Sequence, residues 1–130
     1  MKKILYFWGP VVFLFSFIFI LSSFSTLPQP VIIPDFDKIE HLIAYLVISL
    51  TVYRALLGTT VYSEKKCIKL AILTTVIYGM SDEFHQSFVP YRDASLGDLF
   101  FDFIGAVLAY GSLFNEVRKG ILNDGRMSKM

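Results

Sequence analysis

The chain has 130 residues and a formal net charge of +1; 55% of its residues are hydrophobic, 16% aromatic and 18% charged. A soluble domain usually carries about 25% charged residues, so this composition, with a mean hydropathy of +0.59, favours a membrane protein and excludes intrinsic disorder. The near-neutral charge excludes a strongly basic nucleic-acid binder. The single cysteine, Cys67, excludes an internal disulfide framework.

The first apolar segment covers residues 4–24. No charged residue occurs from position 4 to position 34, and at about 1.5 Å per residue a helix of this length reaches roughly 30 Å, the thickness of the bilayer hydrocarbon. The alternative is a signal peptide, with Lys2 and Lys3 as its basic start and residues 22–25 as a poor cleavage site. Because the apolar core of a signal peptide is usually about 7–15 residues long, the greater length predicts an uncleaved helix.

Three further apolar segments are near the length of a membrane span: residues 39–57, 67–84 and 96–114. Three prolines, Pro28, Pro30 and Pro34, predict an extended connector before the second span. The polar tail, residues 115–130, is expected to be either a short surface helix or disordered. The sequence therefore predicts one all-α domain over residues 1–130, an antiparallel bundle of four transmembrane helices with the first span at its lipid-facing edge.

The basic residues determine the predicted orientation of these spans. Ten of the twelve Lys and Arg residues lie before the first span, in or flanking the loop between the second and third, or after the fourth. Cytoplasmic loops of membrane proteins carry the Lys/Arg excess, so both termini are expected to be cytoplasmic in a multi-pass protein of the cell membrane. Cys67 is then a free thiol at the reducing cytoplasmic end.

The acidic residues and both histidines, His41 and His85, show the opposite distribution. Eight of the eleven acids fall on the predicted outer side: Asp35, Asp37, Glu40, Asp82, Glu83, Asp93, Asp98 and Asp102. Ionisable residues inside a membrane usually face a partner or water. We therefore expect one polar pocket, open to the outside.

Helical spacing assigns polar residues to one stripe on each of the last three spans. These stripes are Asp37, His41 and Tyr45 in the second span, Glu83 or Asp82 with Gln86 in the third, and Asp98, Asp102 and Gly105 in the fourth. All three stripes lie at the same predicted end, so spans two to four are expected to form the pocket. Tyr45 is interpreted as a packing residue.

Arg92 is the predicted contact for an anionic ligand, because Arg binds phosphate or carboxylate through two parallel hydrogen bonds. It could instead pair with Glu83 or Asp98 in a structural network. Lys38 is either an interfacial anchor or a second anion contact. The acids and Gln86 are open to the same alternatives, since hydrogen-bond networks also fix the packing of membrane helices.

Acid–base or metal chemistry is the alternative interpretation of the residues in the predicted pocket. In an enzyme, His41, Glu83 and Asp98 would supply acid, base or nucleophile. Together with His85 they would make a conceivable zinc set. No metalloprotease motif of the H-E-x-x-H type occurs in the chain, and the prediction is that neither a metal nor another cofactor is bound.

The ordered motifs resemble the VanZ-like family of small bacterial integral membrane proteins. The family pattern reads D-K-x-x-H and then E-x-x-Q-x-F-x-P-x-R-x-x-S-x-x-D-x-x-x-N-x-x-G. The chain matches it at Asp37, Lys38, His41, Glu83, Gln86, Phe88, Pro90, Arg92, Ser95, Asp98 and Gly105. It departs at Asp102, where the family more often has Asn. The resemblance covers residues 34–110 and implies a bacterial membrane protein associated with resistance to teicoplanin, a glycopeptide antibiotic with a lipid tail.

Three hypotheses follow. The first is a non-enzymatic protein that binds an anionic lipid, a cell-envelope precursor or a lipoglycopeptide at the outer leaflet, through Arg92, Lys38, His41, Glu83, Gln86, Asp98 and Asp102. The alternative is an intramembrane enzyme acting on an outer-leaflet phospholipid or polyprenyl phosphate. An ion path is disfavoured, because no acid or histidine lies in the inner half of any predicted span. The expected partners are lipid and the bilayer, without nucleic acid, and the oligomeric state is left open.

Overall fold

The structure, a computed structural model, describes residues 1–25, 36–92, 94–111 and 114–127. For residues 126 and 127 it describes the backbone but not the side chains. The described residues form five helices: α1 (Lys2–Ser22), α2 (Phe36–Thr59), α3 (Glu64–Gln86), α4 (Leu96–Leu108) and α5 (Asn115–Met127). This confirms the all-α prediction. The predicted proline connector lies outside the described residues, as do Asp35 and Asp93 of the predicted outer acids.

Serine side chains cap the two helices that follow short loops. Ser63 precedes α3 and its side chain accepts a hydrogen bond from the backbone N–H of Lys66. Ser95 precedes α4 and accepts from the N–H groups of Gly97 and Asp98. Because the first N–H groups of a helix have no partner within the helix, such caps fix where it begins.

The central helix is α2, which packs against each of the other four. Its buried face includes Tyr45, Ile48, Val52 and Tyr53. The ring of Phe7 from α1 fills the space above Gly58, where a side chain would collide with it. The helices thus share one apolar core built around α2.

Pairs of contacts give the relative directions of the helices. His41 and Ser49 of α2 bond to Asp102 and Ala106 of α4, so these two helices run side by side in the same sense. Ser22 of α1 bonds to Asp82 of α3, and Tyr78 of α3 donates to the carbonyl of Phe15. The C-terminal end of α1 therefore lies beside that of α3.

Two of the helices, α1 and α2, are long and apolar enough to cross a membrane, judged by length and composition alone. Helix α4 has 13 residues and is therefore only about 20 Å long. The predicted fourth span continued to position 114, but the helix ends at Leu108, and the chain turns there with the N–H of Gly111 bonded to the Leu108 carbonyl. A bundle of four membrane spans remains a prediction.

The tail is a packed helix, which decides between the two states expected for it. Asp124 of α5 accepts a hydrogen bond from Arg54 Nε at 3.0 Å. Gly125 lies against Leu57 and Gly58 of α2, where a Cβ would come within 3.0 Å of the Leu57 side chain. Helix α5 therefore covers the end of α2 that is remote from His41.

Candidate functional site

The ends of four helices meet in a region that we call the polar end. It contains the C-terminal ends of α1 and α3 and the N-terminal ends of α2 and α4, and its polar side chains are Ser22, His41, Asp82, Glu83, Gln86, Ser95, Asp98 and Asp102. Six of these, the three aspartates, Glu83, Gln86 and Ser22, are almost fully buried. The structure thus brings together residues that lie as many as 80 positions apart in the sequence.

A histidine–aspartate pair joins α2 to α4. His41 Nδ1 lies 2.8 Å from Asp102 Oδ1, with 14% of the His41 side chain and none of the Asp102 side chain exposed. Gly79 of α3 makes room for this pair, since a Cβ there would lie 2.8 Å from Asp102 Oδ2. The His41 ring also stacks on Tyr45, with the ring centroids 6.0 Å apart. His41 is therefore held in a fixed orientation from two sides.

Glu83 of α3 holds the start of α4. Its Oε2 accepts a hydrogen bond from the backbone N–H of Ser95 at 2.8 Å, and Ser95 in turn caps α4. Glu83, His41 and Asp102 each offer one ligand atom, and these three atoms all lie within 4.8 Å of one another. We call these three residues the acid–histidine cluster.

Asp82 is a second centre of hydrogen bonding, next to Glu83 in sequence. Its Oδ2 accepts from Ser22 Oγ at 2.8 Å and from Gln86 Nε2 at 3.0 Å. The Tyr45 hydroxyl lies 3.5 Å from the same oxygen. Sequence reasoning did not include Ser22 in the site, and its only signal is a hydroxyl at the end of an apolar segment. The pocket expected from the last three spans is therefore completed by α1.

The two predicted anion contacts, Arg92 and Lys38, lie at the edge of the polar end and are half-buried. Arg92 Nε donates to the carbonyl of Phe24 at 3.1 Å, so this residue ties the loop after α3 to the end of α1. Tyr91, which precedes it, has a positive φ of 63°, a strained conformation for a residue with a side chain. Lys38 Nζ lies 3.7 Å from Asp37 Oδ2.

A cleft of about 180 Å³ opens between α1, α2 and the end of α3. One part of its wall is apolar, from Ile18, Leu21 and Ala44. The polar part of the wall carries three acidic residues beside the one arginine, and consists of Ser22, Asp37, Glu40, His41, Tyr45, Asp82, Gln86 and Arg92. Three of the seven predicted ligand-binding residues therefore line the cleft. Glu83, Asp98 and Asp102 are buried instead, and His41 belongs both to the cleft wall and to the acid–histidine cluster.

The structure does not bring together the four residues of the zinc set considered from the sequence, His41, His85, Glu83 and Asp98. His85 lies on the α1 side, with Nε2 3.1 Å from Ser23 Oγ and its ring 4.4 Å from that of Phe19. Asp102 is the third residue beside His41 and Glu83. The spacing of Asp98 and Asp102 predicted a shared face but could not tell which of the two carboxylates reaches His41.

Comparison with known proteins assigns a family to most of the chain. A model of the VanZ/LLP1 family matches residues 7–117, which includes all the residues of the polar end. No curated protein and no solved structure matches the chain.

Proposed function

Because the chain belongs to the VanZ-like family, which is linked to glycopeptide resistance, we propose that it is a multi-pass protein of the bacterial cell membrane that binds a lipid-linked anion at the outer leaflet. The ligand class includes anionic lipids, cell-envelope precursors and lipid-tailed glycopeptides of the teicoplanin type, which share a polar head and an apolar tail. Binding contributes to glycopeptide tolerance. The observation that carries this proposal is the cleft, whose wall is part apolar and part polar.

Exposed apolar stripes support placement in a membrane. Large apolar side chains repeat at helical spacing on the outward faces of α2 (Ile39, Ile43, Val47), α3 (Leu73, Ile77, Met80, Phe84) and α4 (Phe100, Phe103, Val107). The exposed face of α1 is equally apolar. Large contiguous apolar surfaces are rare on soluble monomers. The exposed apolar faces of these helices therefore favour a lipid environment.

The proposed topology places the polar end outside and both termini in the cytoplasm, in an antiparallel bundle of four spans. The test is cysteine labelling with a membrane-impermeant reagent. Because Cys67 is fully buried and cannot report its own side of the membrane, it is replaced by alanine and single cysteines are introduced elsewhere. Ser87→Cys, beside the polar end, should react in intact cells. Lys65→Cys, at the start of α3, should react only after permeabilisation. The reverse pattern would refute this orientation.

Arg92 is the proposed contact for the anionic head. Its Nε is already held by the Phe24 carbonyl, which orients the guanidinium at the cleft wall. Arg binds planar oxyanions through two donors at once, whereas Lys offers a point charge on a flexible chain. Arg92→Lys should therefore retain only part of the function that Arg92→Ala loses.

The first experiment compares glycopeptide tolerance in cells that express the wild type, Arg92→Ala or Lys119→Ala. Lys119 is an exposed basic residue on α5 and serves as the control for loss of one charge. Arg92→Ala should abolish the tolerance at unchanged protein abundance, and Lys119→Ala should keep it. Tolerance that survives in Arg92→Ala would contradict the proposal.

Native mass spectrometry of gently extracted protein identifies the ligand class directly. An adduct with the mass of a lipid phosphate, present on the wild type and absent from Arg92→Ala, is the expected result. The same adduct on both proteins would show that the lipid is bound elsewhere.

A second candidate function, a lipid-phosphate enzyme, is favoured by the His41–Asp102 pair. In this proposal Asp102 orients the imidazole and His41 at the cleft wall acts as acid or base. A carboxylate oxygen of Glu83 lies within 4.8 Å of the imidazole. Asp98, the third residue predicted for catalysis, is buried one helical turn before Asp102. Purified protein in nanodiscs should release phosphate or a head group from an outer-leaflet lipid, and His41→Gln should stop the release. Lipid that stays intact with the wild type would eliminate this candidate.

A further inference from the structure

We propose that the acid–histidine cluster, His41, Glu83 and Asp102, binds one divalent transition-metal ion of the Zn²⁺ type. This site goes beyond the proposed ligand binding and does not depend on it. The three residues come from three different helices, α2, α3 and α4. A metal ion bound by them would therefore connect the three helices at the polar end.

The separations of the donor atoms are close to those of a single metal site. Ligand atoms in tetrahedral Zn²⁺ sites lie about 2.0–2.2 Å from the metal, so two donors on one ion are about 3.3–3.6 Å apart. The three ligand atoms of the cluster all lie within 4.8 Å of one another. Donors at the upper limit of that separation would move closer by about 1 Å on binding one ion.

Two carboxylate oxygens in the cluster have no other partner. Glu83 Oε1 and Asp102 Oδ2 are buried without a hydrogen bond, and their residues are only 7% and 0% exposed. Burying an unpartnered charged oxygen is costly. A cation shared between them would satisfy both oxygens together.

The remaining oxygens are placed as supporting contacts. Glu83 Oε2 is held by the Ser95 N–H, which fixes the carboxyl group and leaves Oε1 for the metal. His41 Nδ1 and Asp102 Oδ1 are 2.8 Å apart, within hydrogen-bond distance. Because metal ions compete with protons for such ligands, the ion would replace the hydrogen-bonding proton between the two side chains.

The mixed donor set determines the class of metal. Imidazole nitrogen suits Zn²⁺ and its neighbours among the transition metals, whereas Mg²⁺ and Ca²⁺ prefer oxygen donors alone. Three protein ligands leave at least one coordination position open. His41 also lines the cleft, so the open position would lie near its wall.

The test is metal binding by the full chain, purified in detergent, with Zn²⁺ and Co²⁺ as the probes. After loading and dialysis, elemental analysis should find one Zn²⁺ per wild-type chain, and Co²⁺ should give the visible absorption of a low-symmetry site. Glu83→Gln and Asp102→Asn should each weaken Zn²⁺ binding by at least about 10–100-fold, because each removes a charged ligand. Both changes preserve side-chain size.

Asp82→Asn is the matched control. Asp82 is buried to a similar degree, at 2% exposed, and neighbours Glu83 on α3, but it lies outside the cluster. It should bind Zn²⁺ like the wild type, and so should Arg92→Ala, which separates the metal site from the proposed ligand site. Circular dichroism and gel filtration check that each variant is folded.

Two results would overturn the proposal: a wild-type chain that retains no stoichiometric Zn²⁺, or an Asp82→Asn variant that loses Zn²⁺ as completely as Glu83→Gln. Should Asp102→Asn fail to fold, the comparison of Glu83→Gln with Asp82→Asn still decides the question. The Co²⁺ spectrum of the wild type gives an independent answer, since a surface-bound ion would keep the spectrum of hydrated Co²⁺.

Discussion

Gly105 is the position at which the contact between α2 and α4 is most sensitive to one methyl group. A Cβ at Gly105 would overlap the carbonyl oxygen of Leu42 and lie 3.1 and 3.2 Å from its carbonyl carbon and Cα. Ordinary contact begins at 3.4 Å. Because the obstacle is backbone, no side chain can rotate away, and Gly105→Ala must push the two helices apart.

Two opposing effects determine the size of this change. Overpacking costs about 1–3 kcal/mol, and a collision with backbone belongs at the upper end of that range. Alanine offsets about 1 kcal/mol of it through its higher helix propensity. The expected net loss is about 2 kcal/mol in the free energy of unfolding. The movement also separates His41 from Asp102, which lie next to the two colliding positions.

The assay is unfolding by increasing SDS in detergent micelles, followed by far-ultraviolet circular dichroism. Gly9→Ala is the matched control, since Gly9 lies inside α1 and a Cβ there meets nothing within 4 Å. That variant should be unchanged or up to about 1 kcal/mol more stable. Equal unfolding curves for Gly105→Ala and Gly9→Ala would refute the close approach of α2 and α4.

Two further predictions concern single hydrogen-bonding groups. Ser95→Ala removes the acceptor for the N–H groups of Gly97 and Asp98 and should lower the free energy of unfolding by about 1 kcal/mol. Ser95→Asp should stay close to the wild type in the same unfolding assay. Equal losses of stability in both variants would contradict the capping role. Trp8→Phe removes the 3.0 Å bond from the indole N–H to Thr59 Oγ1 and should also cost about 1 kcal/mol. A double-mutant cycle with Thr59→Val isolates that bond, and a coupling energy of zero would argue against it.

The sequence predicts where helices occur better than it predicts how long they are. Apolar segments are local signals, so helices were expected wherever α1 to α4 occur. The end of α4 depends on distant residues instead: Arg118 of α5 donates to the carbonyl of Tyr110, after the helix has ended. The folding of the tail likewise depends on tertiary contacts such as that between Arg54 and Asp124, which no local pattern reveals.

Helical spacing predicts which residues of the site share a face but not how the faces meet. It placed His41, Glu83 and Asp102 on polar stripes of separate helices, and the structure brings these three together. It could not assign His85 to the α1 side, because this depends on the position of Ser23. Ser22 was missed for the same reason, since its partner Asp82 lies 60 residues further along the chain.

The hydrogen bond between Ser22 and Asp82 has a consequence for the order of biosynthesis. Helix α1 leaves the ribosome 60 residues before the partner of its last residue is made. By length and composition α1 is apolar enough to cross a membrane, but the hydroxyl of Ser22 has no Asp82 to bond to until α3 has been made. The cleft is complete only once α3 has docked, so a nascent chain interrupted within α3 would carry α1 and α2 without the complete cleft.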